Sequence, residues 1–85
     1  MAYNITFKKS VAKDLKRIGK SNAKRILNKI DAELSKDPGR FPALSGRFAG
    51  MRKFRVGDYR VIFVIMDEDV LVLRVQDRQD VYRRK

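Results

Sequence analysis

Lys53-Phe54-Arg55-Val56-Gly57-Asp58-Tyr59-Arg60-Val61-Ile62-Phe63 decides the fold, because it reads as a strand, a two-residue turn and a second strand. Gly57-Asp58 is a turn pair whose twist suits two antiparallel strands, and the flanks are rich in β-branched and aromatic residues. A two-residue turn fixes register: Val56 stands opposite Tyr59, and Arg55 opposite Arg60. Directly opposed residues share a face of the sheet. The period of two then adds Lys53 to the face of Arg55 and Arg60 and sends Phe54 and Val56 to the other.

Downstream, the acidic turn Asp67-Glu68-Asp69 joins this hairpin to a third apolar run, giving strands over 51–56, 59–66 and 70–76. Upstream, residues 40–50 hold Pro42, Gly46 and Gly50 among Phe41, Leu44 and Phe48, a loop with apolar anchors. Before it lie two helices. Val11, Leu15 and Ile18 recur at helical spacing from Lys8 until Gly19, a left-handed stop. Ser21 is placed to cap a second helix with the stripe Ala23, Ile26, Leu27, Ile30 and Leu34, ended by Asp37, Pro38 and Gly39. Residues 3–7 alternate Tyr3, Ile5 and Phe7 with Asn4 and Thr6, a short strand that opens the sheet. The order is strand, helix hairpin, three-stranded antiparallel meander. It predicts an α+β domain, one mostly antiparallel sheet with the helices on one face, over residues 1–85.

A chain of 85 residues supports one core, since it buries only about 60 to 65% of its unfolded surface. It contains neither Cys nor His. That removes disulfides, the usual zinc ligands and histidine-based catalytic pairs, so no metal or other cofactor is expected and any chemistry must use Lys, Arg, Tyr, Ser or carboxylates. The apolar run at 61–66 is far short of the roughly 20 residues that span a bilayer, and the expected location is the cytoplasm. Twenty-one Lys and Arg against ten Asp and Glu give a net charge of +11. Such a charge suits a polyanion, nucleic acid first, because phosphate contacts release counterions.

Like charges directly opposed in a sheet cost a few tenths to about 1 kcal/mol, so folding alone does not favour Arg55 against Arg60. A bound phosphate removes that repulsion and makes charge-assisted bonds to Arg. The last strand must return beside Arg60, which brings Arg78 and Tyr82 to the same edge. A phosphodiester among these groups suggests RNA cleavage by its own 2′-hydroxyl, which needs no metal. Lys53 is the one side chain of the patch able to lose a proton and is the candidate base. Arg55, Arg60 and Arg78 are cast as stabilisers of the pentavalent phosphate, and Tyr82 as a residue that stacks a base. Lys13 and Arg17 on the first helix, Arg47 in the loop and Arg52 beside Lys53 are the further candidate RNA contacts. The acidic turn 67–69 lies at the far end of the hairpin and reads as solvated.

Arg52-Lys53-Phe54-Arg55-Val56, Gly57-Asp58-Tyr59-Arg60 and the tail Arg78-Gln79-Asp80-Val81-Tyr82, in that order behind a strand and a helix hairpin, resemble the RelE/ParE toxin superfamily over nearly the whole chain. The resemblance implies the RelE-like, microbial-ribonuclease-like fold and the toxin of a toxin–antitoxin module. It implies a ribosome-dependent messenger RNA endonuclease that inhibits translation and is held inactive by a RelB-like antitoxin. It assigns Lys53 and Arg55 to base and phosphate contacts, Arg60 to the transition state, Arg78 to phosphate or leaving-group work and Tyr82 to holding RNA. Asp77 stands where many relatives carry histidine, so either Arg78 with Tyr82 suffices or the chain is catalytically weak. The alternatives are a ParE-like inhibitor of DNA gyrase and a non-catalytic basic module that coats nucleic acid.

Overall fold

The computed structural model describes residues 2–77, with the side chain of Arg47 left undescribed. Its elements run β1 (Asn4–Phe7), α1 (Lys9–Ile18), α2 (Lys20–Leu34), β2 (Arg52–Val56), β3 (Tyr59–Met66) and β4 (Asp69–Asp77), with short 3-10 turns at Pro38–Arg40 and Gly46–Phe48. The sheet order is β1-β4-β3-β2. β2, β3 and β4 form an antiparallel meander, and β1 closes the far edge parallel to β4, with Ile5 opposite Val70. The expected α+β architecture is therefore the observed one.

The core is the layer between the sheet and the helix hairpin. Val11, Ile26, Ile30 and Leu34 meet Phe54, Val56, Val61, Phe63, Val70, Val72 and Val75. Each such side chain contributes about 1.5 to 3 kcal/mol when fully removed from water. Phe41 anchors the connecting loop on this layer, with its ring 4.7 Å from Phe54 and edge-on to Phe63 at 6.2 Å. Leu44 is half-buried, whereas Phe48, expected as an anchor, is half exposed.

Several local expectations need correction. Gly19 does end α1, at φ 93°, but it also serves as the N-cap of α2, which leaves Ser21 inside the helix with no cap to make. Leu27 lies on the rim of the α2 stripe, 37% exposed, in a groove between the two helices. The acidic turn has two central residues, because Met66 pairs with Asp69. Among the described residues, no helix is long and apolar enough to cross a membrane.

Asp14, the one acid of α1, is buried, at 4% exposure. β1 stops at Phe7 while β4 runs on, so the outer edge of β4 beyond Val72 lacks a strand partner. α1 replaces that partner. The Lys8 amide donates to the Val72 carbonyl at 2.9 Å, Ser10 Oγ to the Leu73 carbonyl at 2.8 Å, and the Val75 amide donates to Asp14 Oδ2 at 2.9 Å. Arg74 completes the carboxylate's partners through Nε at 2.9 Å and Nη2 at 3.1 Å. The hydrogen bond to Asp14 raises the Arg74 pKa, so this guanidinium stays charged at every working pH.

Candidate active site

The cationic cluster is built by the β2–β3 hairpin. Arg55 pairs with Arg60, Val56 with Tyr59 and Lys53 with Ile62, which is the register that the Gly57-Asp58 turn predicts. Gly57 sits at φ 59°, a left-handed conformation that an L side chain enters with strain. The Lys53 amide points out of the sheet to the Pro42 carbonyl at 3.1 Å. By alternation, Arg55 and Arg60 form a non-hydrogen-bonded pair, the kind whose α-carbons approach to about 4.5 Å. Lys53 stands two residues along, roughly 7 Å away. All three lie on the face away from the helices, and among the described residues none has an ion-pair partner.

β4 supplies the third side of the site. Between Ile62 and Phe63 its register slips by one: Phe63 pairs with Val72, Ile62 with Arg74, and Leu73 is the extra residue. The slip places Gln76, not Val75, beside Arg60. Gln76 offers a neutral donor and acceptor next to the cations, and sequence reasoning missed it. β4 runs to Asp77, which pairs with Tyr59 next to the Arg60–Gln76 pair. Arg78 and Tyr82 lie outside the described residues.

Of the remaining candidate contacts, Arg52, Lys13 and Arg17 do not gather here. Arg52 pairs with Phe63 on the helix-facing side, and its Nη1 donates to the Phe41 carbonyl at 2.7 Å, bracing the loop. Lys13 and Arg17 are exposed on α1, Lys13 along the interhelical groove and Arg17 3.9 Å from Asp14. Arg47 belongs to the second 3-10 turn. Among the described residues, no three His, Cys, Asp or Glu side chains cluster as metal ligands would.

A four-stranded sheet backed by a helix hairpin, with a cluster of cations on its open face that have no ion-pair partner among the described residues, defines a small basic α+β protein. The family model of the ParE toxin of type II toxin–antitoxin systems matches residues 5–82. Toxin RelG of Mycobacterium tuberculosis is 32% identical over 87 residues, covering 99% of this chain and all of the relative. The crystal structure of the M. tuberculosis toxin–antitoxin complex RelBE2 matches with a TM-score of 0.82 and 27% identity, over 92% of this chain and 100% of that one. A chromosomal ParDE system from Pseudomonas aeruginosa shares the fold alone, at 14% identity and a TM-score of 0.70, over 89% of this chain and 96% of that one. The chain belongs to the RelE/ParE family of toxins of type II toxin–antitoxin systems.

Proposed function

We propose that this chain is a ribosome-dependent, metal-independent endoribonuclease that cleaves messenger RNA and inhibits translation, and that it is neutralised by a RelB-like antitoxin. The observation that carries the reading is the Arg55–Arg60 pair, opposed on the open sheet face with Lys53 beside it. A scissile phosphate over this pair would convert a repulsion into charge-assisted bonds that strengthen as negative charge develops. Lys53, in its neutral form, takes the proton of the ribose 2′-hydroxyl. The 2′-oxygen then attacks phosphorus, the bond to the 5′-oxygen breaks, and that oxygen leaves with a proton drawn from solvent. In this scheme Arg78 and Tyr82 supply the leaving-group and base contacts. The antitoxin assignment is supported by structural neighbours solved as complexes with RelB-type antitoxins.

The experiment is end-group analysis of messenger RNA cut on purified ribosomes. The expected upstream fragment ends in a cyclic or 3′ phosphate, and a 2′-deoxy residue at the scissile position abolishes cutting. A free 3′-hydroxyl would reject the mechanism. The matching family model is that of ParE, which favours DNA gyrase inhibition as the second reading. A supercoiling assay in which this chain stops gyrase, beside intact messenger RNA on ribosomes, would select it.

A further inference from the structure

On the side of β2 away from β3, a groove of about 400 Å³ runs between the strand edge and α2. Arg25, Lys29, Glu33 and Arg40 line it from the helix and the following turn, and residues 54–57 line it from the hairpin. Arg40 is engaged, ion-paired with Glu33 and stacked 4.6 Å over the Phe41 ring. Arg25 and Lys29 have no ion-pair partner among the described residues. They stand one helical turn apart, about 6 Å along the axis, facing the same groove. The Arg25 guanidinium lies against the hairpin turn, 2.6 Å from where a Cβ on Gly57 would sit, so the glycine leaves room for it. Arg55 borders both this groove and the sheet-face cluster, which makes the two continuous around the sheet edge.

We propose that this groove is a second phosphate track, in which Arg25 and Lys29 hold backbone phosphates of the same RNA strand whose scissile phosphate lies over Lys53, Arg55 and Arg60. The proposal rests on the RNA reading given above. An amphipathic protein segment fits this groove less well, because such a segment seeks an apolar floor. The groove with that character lies elsewhere, between α1 and α2, lined by Ala12, Leu15, Ala23 and Leu27. A chain of phosphates asks for spaced cations and open walls, and those are what α2 and β2 present.

The test is binding of a single-stranded RNA, 2′-O-methylated throughout so that it cannot be cut, followed by fluorescence anisotropy over a series of salt concentrations. Each lost phosphate contact lowers the slope of log K against log salt by about 0.7, so Arg25→Ala with Lys29→Ala should flatten it by about 1.4 and weaken binding on the order of 25-fold at 0.1 M salt. The charge-conserving pair Arg25→Lys with Lys29→Arg should restore the slope, which separates lost contacts from misfolding. Lys9→Ala with Lys36→Ala, removing two exposed lysines that do not line the groove, should leave it within about half a unit. Equal flattening in both alanine pairs, or none in the first, overturns the track. So does a variant that keeps the wild-type RNA slope but loses an acidic antitoxin, which would give the groove to a protein partner. Because this RNA cannot be cut, the readout is independent of catalysis: a wild-type chain that binds it but cleaves no messenger RNA sinks the endonuclease reading and leaves the track standing. A wild-type chain that cuts messenger RNA on ribosomes but binds no free RNA sinks the track and leaves the endonuclease reading standing.

Discussion

Arg60 is held against Arg55 by a turn that leaves the pair no other register, and this sets folding against function at a single residue. Truncating Arg60 removes a repulsion of roughly 0.2 to 1 kcal/mol. On the proposed mechanism it also removes a donor to the transition state, a loss on the order of 100-fold in rate or more. Arg60→Ala should therefore melt at the wild-type temperature or above while cutting messenger RNA at least about 100-fold more slowly. Thermal unfolding and ribosome-programmed cleavage on the same preparation give both numbers. A clear drop in melting temperature with near-normal cleavage would make Arg60 a structural residue. The Arg55–Arg60 pairing was legible because it depends only on Gly57-Asp58 and the alternation of side chains. Gln76 was not legible. Val70, Val72 and Val75 change phase between 72 and 75, but Leu71 and Leu73 are equally apolar, so the sequence alone does not say where the strand slips.

At the scale of elements, α1 acts as an extension of β1, using Ser10 and Asp14 where a longer strand would have used its backbone. Asp14→Ala strands the buried Val75 amide and frees Arg74. The expected cost is about 2 kcal/mol, or roughly 8 to 16 °C in melting temperature. Asp14→Asn keeps an acceptor for Val75 and should cost clearly less. Arg74→Ala should cost less again, since that side chain is 41% exposed and its ion pair is screened by water. Differential scanning calorimetry of the three variants checks the order. If asparagine costs as much as alanine, the charge on Arg74 matters more than the capped strand edge. A signal for Asp14 existed in the sequence, because it lies three residues after Val11 and so on the α1 stripe with Leu15 and Ile18. An acid is read by default as solvated, and only the missing length of β1 reveals its partner. Arg52 is the converse. Its neighbours made it look like part of the basic patch, but it has the parity of Phe54 and so faces the helix side.

For the whole molecule, +11 charges on 85 residues imply a partner that neutralises them. Structural neighbours solved with RelB-type antitoxins make an antitoxin of the proposed kind the natural candidate. Expression of this chain should arrest growth, and co-expression of its cognate antitoxin should restore it, with a purified complex that weakens as salt rises. Arrest that no neighbouring gene product relieves would remove the toxin–antitoxin reading of this chain's role. The element order, the helix-backed sheet and the Lys53, Arg55 and Arg60 face follow from the sequence alone, because each depends on local signals: periodicity, a two-residue turn, a glycine stop. Tertiary structure alone decided that β1 joins parallel to β4, that Asp14 is buried, that Arg52 braces a loop, that Gln76 flanks Arg60 and that Arg25 lies on the turn at Gly57. Those features depend on where elements end and on which groups meet across 11 to 65 residues of chain. Local pattern carries no term for such distances.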